Sequence, residues 1–397
     1  MHQVEHEEAL PLRYVPAPRR EVGWNEFIPV GSRFVDLPDD FRMKSGGHLH
    51  HARIAFETFG RLSEQRDNAI LICTGLSPDA HVASRPDDPT PGWWEQMVGP
   101  DKPVDTKRWF VICVNSLGSC KGSTGPASVN PATGRPYGLA FPEVSVEDIA
   151  DAAAIAVLSL GIERLACVIG ASMGGMVALS LLDRHPGIAR THVNVSGAPS
   201  ALPFAIATRS LQREAIREDP DWRRGNYDRV RYPRRGMIMA RKLGVITYRS
   251  ACEWRDRFGR DLIDADARID LEQFRHEFEI ESYLEYQARR FVGAFDPNCY
   301  LYLSRAIDRF DLGDGRRSLA AEASSHLRLE SAMVLGVTTD ILFPLEQQED
   351  IARRLEADGV RTRLEVVDSP KGHDAFLVDI PAFGVPIADY LAEVTIA

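Results

Sequence analysis

An apolar run, Leu165–Gly170 (LACVIG), leads into Gly170-Ala171-Ser172-Met173-Gly174-Gly175, and a helix-compatible run, MVALSLLDRH (176–185), follows at once. This order constrains the fold more than any other feature of the 397-residue chain. A G-x-S-x-G segment between a buried strand and a helix forms a sharp turn that lifts the serine hydroxyl above the sheet. Glycines flank the serine because larger side chains clash in so tight a turn. The helix N-terminus then lies beside the hydroxyl, and the Met173 N–H is placed to meet a developing oxyanion. Ser172 is therefore the expected nucleophile.

Further strands are expected at Asn68–Thr74, Trp109–Val114, His192–Val195, Ser331–Val337 and Arg363–Val367. Short, nearly continuous apolar runs suit strands buried on both faces. Helical patterns separate or follow them, as in Val146–Leu160 and Phe383–Val394. The alternation predicts an α/β fold with a mostly parallel sheet and helices on both faces. It breaks between about 200 and 325, where fourteen arginines fall between Arg209 and Arg260. We read a discontinuous core, 1–200 plus 325–397, interrupted by a helical lid over 200–325. Residues 1–25 are polar and proline-bearing, and read as a loose arm.

In a sheet of this kind the acid and the base follow the nucleophile in the order Ser, Asp/Glu, His. AMVLGVTTDILFP places Asp340 just beyond one late strand, and LEVVDSPKGHDAF places His373 in a loop beyond the next. Both positions lie at carboxyl ends of strands, where parallel sheets build their sites. His373 would take the serine proton, and Asp340 would fix its tautomer. A second oxyanion donor is expected from the loop after an early strand, with Leu76 N–H placed by a turn at Gly75.

These residues carry a resemblance to the homoserine O-acyltransferase family of α/β-hydrolase-fold enzymes. The matching stretches include GLSPDAH (75–81), GWWEQMVGP (92–100), NSLGSCKGSTGPASVNPATGRPYG (115–138), LQREAIREDP (211–220) and GHDAFLVD (372–379). The resemblance implies transfer of an acyl group from acyl-CoA to Ser172 and then to an amino-acid hydroxyl. It implies that Arg213 holds the acceptor's carboxylate and Asp374 its ammonium. It also suggests a homodimer through the helical insertion.

Three departures from the family pattern bear on specificity. The oxyanion loop reads Gly75-Leu76-Ser77-Pro78, Ala171 precedes Ser172, and Arg209 stands one helical turn before Arg213. They bring the chain nearest to the subgroup acting as L-serine O-succinyltransferases. Arg209 would pair with the distal carboxylate of a succinyl group, and Gly75, Ser77 and Pro78 would shape the donor side. The expected substrates are succinyl-CoA and L-serine; the alternative is a homoserine O-succinyl- or O-acetyltransferase of methionine biosynthesis, and a further one a serine hydrolase or esterase.

Composition narrows the partners. A net charge of -10 argues against nucleic acid as a partner. No stretch reaches 18 apolar residues, so no membrane span is expected. Six cysteines without a CxxC pair read as reduced, buried thiols, and with no signal pattern at the N-terminus the expected location is cytoplasmic. His48, His50 and His51 lack a carboxylate or Cys at ligand spacing, so neither a metal nor a bound cofactor is expected. The glycines of GSCKGSTGP read either as a CoA-approaching loop or as a packed structural one.

Overall fold

The computed structural model describes residues 28–39, 41–228, 230–263, 276–313 and 327–396. The loose arm read over 1–25 lies outside the described residues. Eight strands form one sheet: β1 (Arg33–Asp36), β2 (Arg53–Phe59), β3 (Ala69–Cys73), β4 (Phe110–Val114), β5 (Leu165–Ala171), β6 (Ala189–Val195), β7 (Ser331–Val337) and β8 (Arg361–Val367). Their spatial order is β1-β2-β4-β3-β5-β6-β7-β8. The pairs β1–β2 and β2–β4 are antiparallel, and all others are parallel.

Every residue of β3, β4, β5 and β7 is buried. The apolar runs are continuous because both faces are covered. Alternate residues enter different cores. Leu71, Ile112 and Val168 pack with α1 (Val146–Ser159) and α2 (Met173–Arg184). Ile70, Val111 and Ile169 pack on the opposite face with Phe383 and Ile387. Ser145 starts α1 with a capping box. Its side chain accepts from Asp148 N, and Asp148 Oδ2 accepts from Ser145 N.

Between β6 and β7 the described chain is helical: α3 (Pro203–Glu218), α4 (Arg234–Tyr248), α5 (Ala251–Phe258), α6 (Glu279–Phe291) and α7 (Pro297–Arg309). Helix α3 packs on α4 and α7, and α4 on α6. The α3–α4 crossing is close, since a Cβ on Gly236 would lie 2.4 Å from Ala215 O. After β7 come α8 (Leu345–Ala357) and, past β8, α9 (Ile380–Glu393). Among the described residues no single helix is long and apolar enough to cross a membrane. The glycine-rich loop after β4 is a packed one, because a Cβ on Gly125 would lie 2.3 Å from Ser119 O.

Candidate active site

Ser172 sits between β5 and α2 with φ 56° and ψ −123°. A β-bearing residue rarely adopts positive φ, and the cost is tolerated when the surroundings enforce it. They do so here. Ser172 N donates to Val195 O at 2.9 Å, which ties the turn to β6. A Cβ on Gly170 would lie 2.2 Å from Gly174 O, and one on Gly174 would lie 2.1 Å from Cys73 O. The two glycines are therefore needed for close approach of the helix to the sheet.

The loops after β7 and β8 bring the acid and the base to this turn. His373 Nε2 is 2.7 Å from Ser172 Oγ, and His373 Nδ1 is 2.6 Å from Asp340 Oδ2. Asp340 Oδ1 accepts from Leu342 N at 2.8 Å and Phe343 N at 2.9 Å, which fixes its orientation. The imidazole is buried and stands edge-on to Phe343 and Phe376. Burial disfavours the imidazolium, but the charge and hydrogen bond of Asp340, with Asp374 behind them, outweigh it. The His373 pKa is raised above the ordinary histidine value.

A cleft opens above Ser172. Gly75, Leu76, Ser77, Pro78 and Met173 line it on the core side. Leu76 follows β3 and Met173 begins α2, as two oxyanion donors must. The turn does not require glycine at 75, contrary to the sequence reading. A Cβ there would lie 3.6 Å from Pro78 Cδ and 4.0 Å from Ala171 O, which is ordinary contact. What Gly75 leaves instead is a methyl-sized space beside the nucleophile. The oxyanion loop ends on His81, whose Nδ1 lies 3.1 Å from the buried Glu57 Oε2. Nothing in the sequence pattern around His81 marks this brace.

The insertion supplies the other wall. Thr208, Arg209 and Gln212 come from α3, Arg241 and Tyr248 from α4, and Tyr300 from α7. Arg209 lines the cleft, and its Nε donates to Asp308 Oδ1. Its Nη2 is buried without a hydrogen-bond partner.

Arg213, one turn further along α3, is held on α7. Its Nη1 donates to Ser304 Oγ at 2.8 Å and lies 2.6 Å from Asp308 Oδ2. Arg213 thus ties α3 to α7, its guanidinium engaged by Asp308 and Ser304 in this structure. Arg209 and Arg213 do share a helix face, but the shared partner is Asp308. The cleft arginine that the sequence reading missed is Arg241. Its Nε is buried without a partner, and its guanidinium lies 5.8 Å from the Tyr248 ring centre. The available signal was the stripe Arg241, Gly244, Val245, Tyr248 along one helix face.

Asp374, next to His373, also lines the cleft. Burial raises its pKa, against the lowering effects of Arg249, His373 and Arg241. Among the described residues no group of three His, Cys, Asp or Glu side chains is arranged to hold a metal ion.

Comparison with known proteins agrees with this geometry. The alpha/beta hydrolase fold family matches residues 68–380. An L-serine/homoserine O-acetyltransferase of Streptomyces lavendulae is 65% identical over 371 residues, spanning 93% of this chain and 99% of its own. A serine O-succinyltransferase of Xanthomonas campestris pv. campestris (strain B100) is 60% identical over 378 residues, with 93% and 99% covered. The crystal structure of homoserine O-acetyltransferase from Bacillus anthracis superposes with a TM-score of 0.81 at 25% identity, covering 92% of this chain and 99% of that one. A strained serine hydrogen-bonded to a histidine–aspartate pair, in a chain that matches such relatives over 93% of its length, makes this chain a member of the α/β-hydrolase fold family and, within it, an O-acyltransferase of the homoserine O-acyltransferase family.

Proposed function

We propose that the protein transfers a succinyl group from succinyl-CoA to the hydroxyl of L-serine through a Ser172 acyl-enzyme, giving O-succinyl-L-serine as a cysteine precursor. His373 takes the Ser172 proton as the hydroxyl attacks the thioester carbonyl. The oxyanion is received by the N–H groups of Leu76 and Met173. CoA leaves with the proton from His373. The acceptor hydroxyl then attacks the acyl-enzyme, with His373 again as base, and Ser172 is regenerated.

One observation carries the choice of donor. The Arg209 Nη2 is buried at the cleft with no partner. Asp308 answers part of this guanidinium, and the remaining donors need an acceptor. The distal carboxylate of a succinyl group supplies one, and acetyl supplies none. The acetyl reading is favoured by the Streptomyces lavendulae relative, which is named for acetyl transfer. We take the Arg209 environment as the stronger argument. Arg209→Asn is expected to lower kcat/KM for succinyl-CoA by about 10- to 100-fold, the scale of a lost charge-assisted pair. Acetyl-CoA should be affected little. If the ratio of the two donors' kcat/KM values is the same in wild type and variant, donor choice is made elsewhere.

For the acceptor, Arg241, whose buried Nε is unpartnered, stands beside Arg213 as a carboxylate partner, with Asp374 taking the ammonium. Arg241→Lys should raise the acceptor KM about tenfold or more, because an ammonium cannot make the two parallel bonds of a guanidinium. The burst of CoA released by donor alone should persist. Loss of the burst with an unchanged acceptor KM would remove Arg241 from this role. L-Homoserine, longer by one methylene, is the alternative acceptor, and a matrix of two donors against two acceptors tests both choices. One methylene is worth only about 1–3 kcal/mol in a pocket.

A further inference from the structure

The Asp374 carboxylate is already engaged before any substrate arrives. Arg249 Nε lies 3.5 Å from Asp374 Oδ2. The same guanidinium donates from Nη1 to Glu253 Oε1 at 3.0 Å. Arg249 is the residue after α4, and Glu253 lies in the first turn of α5. Both side chains are largely shielded from solvent, at 14% and 5% exposure, so water screens them poorly.

The backbone holds the two segments together. Gly372 has φ 67°, and a Cβ there would lie 2.9 Å from Arg249 Cα. Ser250 Oγ donates to Pro370 O and accepts from Glu253 N at 3.1 Å. The loop carrying His373 and Asp374 is thus docked on the α4–α5 junction of the insertion. Arg249 stands at that junction with its charge turned to Asp374.

The charges that face Asp374 divide by task. Arg249 and Arg241 come from the insertion, His373 from its own loop, and Asp340 from the loop after β7. His373 must be neutral to act as a base. Asp340 is a like charge. Arg241 has a role at the acceptor carboxylate. That leaves Arg249 as the cation beside Asp374 with no other task at the site, its charge shared with Glu253. Lys371 lies beside Glu253, 3.9 Å from its Oε1.

We propose that Arg249 is a positioning residue that keeps Asp374 ionised and oriented, and so makes the site select acceptors with an α-ammonium. The inference rests on Asp374 being the ammonium partner. Arg249 lies nearest the Oδ2 of the carboxylate, and Asp374 also lines the cleft. Without Arg249, burial would push Asp374 further toward its neutral form. A protonated Asp374 offers an ammonium no charge.

The test uses the full-length enzyme and measures the KM for L-serine against pH. It is run beside the inhibition constant of 3-hydroxypropanoate, which has the same hydroxyl and carboxylate and no ammonium. The CoA burst from donor alone reports His373 independently of the acceptor. Arg249→Gln should raise the serine KM about 10- to 100-fold at neutral pH and move the acid rise of that KM to higher pH. The 3-hydroxypropanoate constant and the burst should change far less. Arg249→Lys retains the charge and should bind serine nearly as wild type. A serine KM that stays the same or falls in Arg249→Gln overturns the proposal, because the arginine would then be idle or a competitor. Parallel losses in serine binding, 3-hydroxypropanoate binding and the burst overturn it too, by showing a purely structural role. If Arg249→Gln does not fold, Arg249→Lys decides: a serine KM as poor as that of Asp374→Asn contradicts the charge argument. Asp374→Asn separates the two levels. If it leaves the serine KM unchanged, the ammonium assignment itself fails.

Discussion

Ser172→Ala is expected to abolish acyl transfer, with a loss of about 10⁶-fold in kcat, the scale found when a triad nucleophile is removed. The chemical step has no other hydroxyl at that position. Ser172 Oγ lies 2.7 Å from His373 Nε2, and the strained turn presents it above the carboxyl ends of β3 and β5. Alanine keeps the Cβ, so the backbone strain at φ 56° is unchanged. The fold should therefore persist, and thermal unfolding should shift little. Turnover above a tenth of wild type would remove Ser172 from its role.

His373→Ala should cost nearly as much, since nucleophile and base act as one unit. Asp340→Asn should cost somewhat less, about 10⁴-fold, by a specific route. An asparagine can keep the contacts of Oδ1 to Leu342 N and Phe343 N. Its amide nitrogen would then face His373 Nδ1 and force the wrong tautomer. The pH profile follows from the same geometry. The base works only when neutral, so kcat/KM falls as pH drops through the His373 pKa. That pKa is raised, so the acid limb should lie above the ordinary histidine range of about 6.5. A kcat/KM flat from about pH 5 to 9 would contradict a histidine base.

The triad was legible in the sequence because each member follows a strand that announces itself. Cys73, Gly170 and Val337 end or nearly end strands read from continuous apolar runs, Val367 ends a mostly exposed one with an apolar tip, and the site lies just beyond them. The antiparallel strands β1 and β2 were not read. The residues of β1 are mostly exposed and carry no apolar run. Strand β2 buries Glu57 among apolar neighbours, which disguises it.

The cleft arginine Arg241 was not legible for a different reason. Helical periodicity tells which residues share a face, but not what that face meets. Arg209 and Arg213 share one, and only the packing of α7 shows that Asp308 pairs with both and Ser304 with Arg213. Arg241 was hidden among fourteen arginines, and its unpartnered Nε becomes visible only once α3 and α4 are folded against the core. The Gly75 reading failed similarly. A glycine in a loop suggests a tight turn, whereas here it leaves space.

The most direct test of the account is the covalent state of Ser172. The enzyme is mixed with acyl-CoA without an acceptor, quenched in acid, and the Ser172 peptide is examined by mass spectrometry. The account predicts a peptide heavier by one acyl group, CoA released in equal amount to enzyme, and loss of the added mass when L-serine is supplied before the quench. CoA release that requires the acceptor, with Ser172 unmodified throughout, would contradict an acyl-enzyme and with it the mechanism described here.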